Sequence, residues 1–237
     1  MKKYILITGA GQRLGMDIAL YFAKNNENII IHCNNSLKNA QDLGEKIVKN
    51  YKINTEIIQE DLSKADGGMR LIQKASKFGE ISLIIHCASS IIEDNLLNLE
   101  IENVYTSINI HAISFLQMAE FIKKNNQNIN MIAIIDANLK YRSAYLSYSI
   151  GKKILQDMVK FLAFHLKNQS RINGISPTWI ENYNPLIHIS EGKKILETLK
   201  LTEHLATTEQ IINAIEFLQN NQSITGEIIN IDSGSEV

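Results

Sequence analysis

The sequence predicts an α/β fold, a doubly wound parallel sheet of about seven strands with helices on both faces, in a single domain over residues 1–237. Three observations carry this. Short apolar runs alternate with amphipathic stretches along the whole chain, the pattern of a parallel sheet covered by helices. A glycine-rich segment directly follows the first apolar run, where such a sheet turns tightly from strand into helix. No repeat, low-complexity linker or Pro-rich hinge divides the chain, and prolines stand only at 177 and 185.

The elements follow in order. Tyr4-Ile5-Leu6-Ile7-Thr8 reads as a buried strand near 3–8. After glycines at 9, 11 and 15, Leu14, Ile18, Ala19 and Phe22 recur at helical spacing. Further strands are expected near 28–33, 53–59, 81–87, 129–136, 170–175 and 226–231. Helices fill the gaps, the longest near 99–125 and 145–168. In the second of these, Ile150, Ile154, Met158, Phe161, Leu162 and His165 mark an apolar stripe. Ligands of such sheets bind beyond the carboxyl ends of the strands, where the strand order reverses.

Composition narrows the function classes. Hydrophobic residues at 45% and charged residues at 21% are ordinary for a soluble globular protein. A formal net charge of −1 gives no electrostatic case for nucleic acid or an anionic membrane. No apolar stretch reaches the ~18 residues of a membrane helix, and the chain enters a strand at once without a signal peptide. Cys33 and Cys87 stand at ends of expected core strands, where buried reduced thiols fit better than a disulfide or a metal site. A cytoplasmic protein acting on a small molecule is the expectation.

Two motifs carry chemistry. In Thr8-Gly9-Ala10-Gly11-Gln12-Arg13-Leu14-Gly15, the glycines let backbone N–H groups approach a pyrophosphate at a helix N-terminus. In Tyr148-Ser149-Ile150-Gly151-Lys152, two side chains four apart share one helix face. An ammonium beside a phenol favours the phenolate, which otherwise titrates near ~10, and makes the tyrosine a usable proton donor and acceptor.

Other positions support these. After the second strand, Asn34-Asn35-Ser36 lacks the acidic residue that selects NAD, and all three side chains can donate to a 2′-phosphate. Ser36 is equally placed to cap the next helix. Asp61 and Leu62 follow the third strand; Asp61 either accepts an adenine amino group or, with Ser63, caps a helix. Ala88-Ser89 follows the fourth. Asn109, a polar residue inside a helix, either has a task there or faces solvent.

Taken together, these residues resemble the short-chain dehydrogenase/reductase family over essentially the whole chain. The glycine-rich turn, Asp61, Ala88-Ser89, Asn109, Tyr148 with Lys152, Pro177 and the tail Thr225-Gly226…Asp232-Ser233-Gly234 occur in its order and spacing. The resemblance implies a single-domain Rossmann fold, NAD(P) dependence and a homotetramer or homodimer, its interface on the two long helices. His86-Cys87-Ala88-Ser89 departs from the family's Asn-Asn-Ala-Gly, and Arg13 stands where the family has a glycine.

Thr8 to Gly15, Ala88-Ser89-Ser90 and Ile135-Asp136-Ala137 are most similar to pteridine reductases and dihydromonapterin reductases. That resemblance implies NADP(H) as cofactor and a pterin or folate as substrate. It makes Tyr148, Lys152, Asp136 and Asn109 the catalytic group, with Asp136 in place of the usual serine. Gly9, Gly11, Arg13, Leu14, Gly15, Asn34, Asn35, Ser36, Asp61, Leu62, Ala88, Ser89, Lys152 and Pro177 would hold the cofactor. Arg13, Ser89, Asp136, Tyr148, Trp179 and Tyr183 would meet the substrate. Asp136 precedes Tyr148 by twelve positions, one fewer than in those enzymes; Ser143 and Ser147 are too near Tyr148 in sequence to replace the upstream serine. Ile91 stands about where they carry a stacking aromatic, so Trp179 or Tyr183 would have to supply that wall. The segment from Thr178 to Lys200 should close over the substrate. Alternatives are a carbonyl reductase of the same family, acting for example on 3-oxoacyl thioesters, and a non-catalytic cofactor-binding subunit.

Overall fold

In the computed structural model, which describes residues 2–137, 144–183 and 200–235, seven parallel strands lie in the order β3-β2-β1-β4-β5-β6-β7. They are β1 (Lys3–Thr8), β2 (Asn28–Cys33), β3 (Thr55–Gln59), β4 (Glu80–His86), β5 (Asn130–Ile134), β6 (Ile172–Pro177) and β7 (Ile228–Ile231). The helices are α1 (Arg13–Lys24), α2 (Leu37–Asn50), α3 (Gly67–Ala75), α4 (Ile101–Ile108), α5 (Ser114–Lys124), α6 (Leu146–His165) and α7 (Thr208–Asn220). The strand order reverses between β1 and β4, so the cleft opens at Thr8 and His86, the last residues of those strands.

Helices cover both faces, and each face has its own core. Leu71, Phe115, Met118, Leu155 and Val159 pack α3, α5 and α6 against one side. Ile18, Phe22, Leu43, Ile47, Ile211 and Ile215 pack α1, α2 and α7 against the other. Strands buried on both faces explain the apolar, isoleucine-rich runs of β1, β2 and β4.

The helix expected near 99–125 runs from Ile101 to Lys124, with a π turn at Asn109–Ile113 joining α4 to α5 inside it. The stripe expected on α6 needs correction. Its buried face is Tyr148, Gly151, Lys152, Leu155, Val159, Leu162 and Ala163, whereas Phe161 is 67% exposed. Only Leu162 belongs to both. Small residues let α6 sit close to its neighbours; Ile154 and Met158 are partly buried against the edge of the same core, and Phe161 faces out.

The end of β3 is held by one buried carboxylate. Glu60 accepts from Arg70 Nη2 at 2.8 Å, from Lys74 Nζ at 2.8 Å and from the Asp61 amide at 3.1 Å. Burial opposes its ionisation, but the bonds from Arg70 and Lys74 prevail and hold the carboxyl down to about 2. Glu60→Gln keeps the shape and removes the charge. The expected loss is about 2 kcal/mol of unfolding free energy at neutral pH, read from urea denaturation; an unchanged midpoint would show the triad contributes nothing.

Candidate active site

Thr8 closes the cleft between β1 and β4. Its hydroxyl oxygen accepts from the Cys87 amide at 3.0 Å and the Ala88 amide at 2.9 Å. Both lone pairs are then used, so its proton points to His86 Nδ1 at 3.0 Å. Next to it Gly9 has φ +67°, and a Cβ there would lie 2.7 Å from the Ala88 Cα. Only glycine satisfies that backbone and that approach.

Beyond Gly9 the chain leaves a run of backbone amides without partners. The N–H groups of residues 11–15 find no hydrogen-bond partner among the described residues, although Gly11, Leu14 and Gly15 are buried. They open the N-terminus of α1, whose first turn carries no acidic residue. Arg13 sits there with φ +50°, a left-handed conformation that explains the family's glycine at this position. Its exposed guanidinium makes no ion pair among the described residues. A cavity of about 310 Å³ lies on the α1/α2 side of the turn, bordered by Gly11, Arg13, Asn39, Asp42 and Lys46.

The loops after β2 and β3 meet beside that cavity. Ser36 occupies the cap position of α2 but makes no capping bond; its hydroxyl faces Gly11 instead. Asn35 is exposed, whereas the Asn34 amide donates to Asp61 Oδ1 at 3.3 Å. Asp61 does not cap α3, whose cap position is Asp66; it accepts from Ser63 N at 2.9 Å and Ser63 Oγ at 2.7 Å. Burial opposes its ionisation, and the Ser63 bonds outweigh that, leaving its carboxyl below the usual range. Leu62 is buried in the core. Asn109 is half-buried, and its amide donates to Ser63 O at 2.8 Å and anchors this loop.

On the other side of the cleft, α6 presents Tyr148 and Lys152. The Tyr148 hydroxyl donates to Asp136 Oδ2 at 2.7 Å, and Lys152 Nζ donates to Ile134 O at 2.7 Å. The ammonium lies 5.9 Å from the centre of the Tyr148 ring. All three side chains are more than nine-tenths buried. Asp94, in the loop after β4, fixes this end of α6 by accepting from the Ser147 amide at 2.9 Å and from the Ser147 hydroxyl. Gly151 lets the helix close on the π turn, since a Cβ there would come 2.4 Å from Ser107 Oγ and 2.8 Å from His111 Nδ1.

Pro177 ends β6 and its carbonyl accepts the Ala137 amide at 2.9 Å. Trp179 is half-buried just beyond. Tyr183 points its hydroxyl at Asp17 of α1 and its ring packs with the α1/α7 core; burial, then the bond to Asp17, raise its pKa. Ile91 is 52% exposed. Ser143 and residues 184–199 of the Thr178–Lys200 segment lie outside the described residues. Cys33 and Cys87 are free thiols, and burial pushes Cys87 up to about 11. No described helix is long and apolar enough to cross a membrane.

Three buried histidines, His32, His86 and His111, stand around this cleft. His32 accepts from the Gly9 amide through Nδ1 at 3.1 Å, and its Nε2 meets Glu60 O at 3.0 Å. His86, after taking the Thr8 proton, meets His111 O through Nε2 at 3.0 Å. His111 contacts Ser107 Oγ at 3.1 Å and Ser89 Oγ at 3.0 Å, and stands edge-on to the Tyr148 ring at 5.4 Å. Polar residues in strands otherwise buried on both faces were the available signal.

A family model described as enoyl-(acyl carrier protein) reductase, of the short-chain dehydrogenase/reductase type, matches residues 9–236. The chain is 25% identical over 242 residues to the uncharacterized oxidoreductase YmfI of Bacillus subtilis, covering 99% of each. It is 29% identical over 245 residues to the 3-oxoacyl-[acyl-carrier-protein] reductase FabG of Buchnera aphidicola, covering 98% of this chain and 97% of that one. Among solved structures, the alternative dihydrofolate reductase FolM of Brucella canis, complexed with NADP, superposes with a TM-score of 0.87 at 24% identity. That match covers 99% of this chain and 94% of the other. The FolM protein of Brucella suis, also with NADP, gives 0.85 at 24% identity over 99% and 95%.

The buried rings set the acid stability. Burial lowers His32 to about 4 and His86 to about 3, and takes His111 well below its usual value, the Lys152 charge adding to the last two. Each is neutral when folded and charges on unfolding, so the unfolded chain binds more protons below about pH 6.5 and stability falls as pH falls. Three such groups give a slope of about 4 kcal/mol per pH unit near pH 5. Urea denaturation across that range should show it; a slope of about 1 kcal/mol per unit or less would mean the rings are charged in the folded protein.

Proposed function

The chain belongs to the short-chain dehydrogenase/reductase family, and within it we propose an NADPH-dependent reductase of pterins, of the dihydromonapterin, dihydrobiopterin or dihydrofolate type. The observation that carries this reading is the 2.7 Å bond from the Tyr148 hydroxyl to Asp136. A carboxylate beside the proton donor accepts from the amino and ring N–H groups of a pterin, and gains little from a ketone, which a serine hydroxyl polarises better.

The residues fit the cofactor. The unpartnered N–H groups of residues 11–15 would receive the pyrophosphate, with Arg13 beside it. Ser36 and Asn35, facing no carboxylate of their own loop, would receive a 2′-phosphate, while Asn34 is held by Asp61. Lys152 would hold the nicotinamide ribose hydroxyls. When bound, the cofactor supplies a hydride to the carbon of a C=N bond. Tyr148 delivers the proton to the nitrogen, directly or through water, and Asp136 holds the phenol in line for it. The likeness to NADP-bound FolM proteins supports the same reading.

The similarity to a 3-oxoacyl reductase favours one rival, a carbonyl reductase of the family. A cofactor-binding subunit without turnover is the other. We further infer a homodimer or homotetramer, with the outward apolar side chains Tyr105, Leu116, Phe161 and Phe164 of α4, α5 and α6 at the contact.

Loss of NADPH absorbance with dihydromonapterin, beside the Tyr148→Phe variant, tests the proposal. Turnover should fall by on the order of 100-fold or more in the variant. NADPH binding without oxidation of any pterin would contradict it, and turnover of a 3-oxoacyl thioester alone would favour the rival.

A further inference from the structure

The glycine-rich turn follows β1 and the Asp61 loop follows β3, with β2 lying between the two strands. One side chain of β2 reaches both. His32 is 2% exposed; its Nδ1 receives the Gly9 amide at 3.1 Å, and its Nε2 meets the Glu60 carbonyl at 3.0 Å.

Both partners are backbone groups with fixed roles. An amide N–H only donates and a carbonyl only accepts, so Nδ1 is the bare nitrogen and Nε2 carries the proton. The ring is therefore neutral, and the protein engages both of its nitrogens. The backbone of β2 runs the same way. The His32 carbonyl accepts from the Ala10 amide at 2.9 Å, and the Cys33 carbonyl accepts from the Glu60 amide at 3.0 Å. Glu60 in turn takes the Asp61 amide on its carboxylate at 3.1 Å. A line of bonds thus passes from the turn, through the ring, to the loop. An apolar side chain at 32 would leave the Gly9 amide and the Glu60 carbonyl unpaired.

We propose that His32 is a positioning residue for the cofactor: it fixes the glycine-rich turn relative to the Asp61 loop, so that both grip one dinucleotide, the turn at its pyrophosphate and the loop at its adenosine end. With both nitrogens engaged, the ring acts through Gly9 and Asp61 and offers nothing to the ligand itself. The inference rests on the nicotinamide cofactor of the family and stands whether or not a pterin is the substrate.

Fluorescence titration without substrate tests it, with NADPH and with reduced nicotinamide mononucleotide, which lacks the adenosine end. In His32→Asn the side-chain oxygen takes the place of Nδ1 and keeps the Gly9 bond, while the bond to Glu60 is lost. The Kd for NADPH should rise about tenfold, one lost hydrogen bond, and the Kd for the mononucleotide should not change. An unchanged Kd for NADPH would overturn the inference. So would an equal loss for both ligands, which is what a general structural defect produces. A second measurement uses the native protein labelled with ¹⁵N. Magnetisation should pass across the hydrogen bond between the Gly9 nitrogen and His32 Nδ1, and the bond should persist when 2′,5′-ADP is added. Absence of that coupling, or a proton on Nδ1, would overturn the inference even if His32→Asn failed to fold.

Discussion

The Thr8 hydroxyl is the constraint on which the cleft depends. It makes three hydrogen bonds and has no capacity left, joining β1 to β4 across the one place where the strand order reverses. A parallel sheet leaves strand ends there with unpaired backbone groups, and a threonine oxygen satisfies two of them at once. Gly9 can lie against Ala88 only because those ends are held together. From the same hydroxyl a directed line of bonds runs through His86 to the His111 carbonyl in the π turn. The floor of the cleft is thus polar and buried, yet its hydrogen bonds are complete.

Tyr148 is placed from three directions, none of them local to its own sequence. Asp94 caps the first turn of α6 from the loop after β4, the π turn meets the helix at Gly151, and Asp136 receives the phenol from the end of β5. A phenol held this firmly loses little orientational freedom when a substrate arrives, which is how a proton donor gains effectiveness. The single Asn109 amide ties the same π turn to the loop carrying Asp61. The two halves of the cleft are therefore coupled through one short irregular helix segment.

Much of this was legible in the residues, and the failures have physical causes. Apolar, isoleucine-rich runs and their spacing identified the strands, because a doubly covered sheet needs apolar residues on both faces. The order of Gly9, Asp61, Ala88, Tyr148 and Lys152 located the cleft. The buried face of α6 was mistaken because Gly151 and Ala163 give no hydrophobic signal, while Phe161, facing out, gives a strong one. The bond of Asn109 to the Ser63 carbonyl was not legible, because the two residues are 46 apart in sequence. The surroundings of His111 were not legible, because its partners come from the loop after β4, α4 and α6, which only the fold brings together.

The central claim is chemical: a carboxylate at 136, bonded to the proton donor, suits a substrate that presents N–H groups. The most direct measurement is the ratio of kcat/KM for dihydromonapterin to that for a 3-oxoacyl thioester, in the native protein and in Asp136→Ser. The account predicts that the native ratio favours the pterin and that the substitution moves it toward the thioester by at least about tenfold, the equivalent of one hydrogen bond. A ratio that stays the same, or a native preference for the thioester, would contradict it.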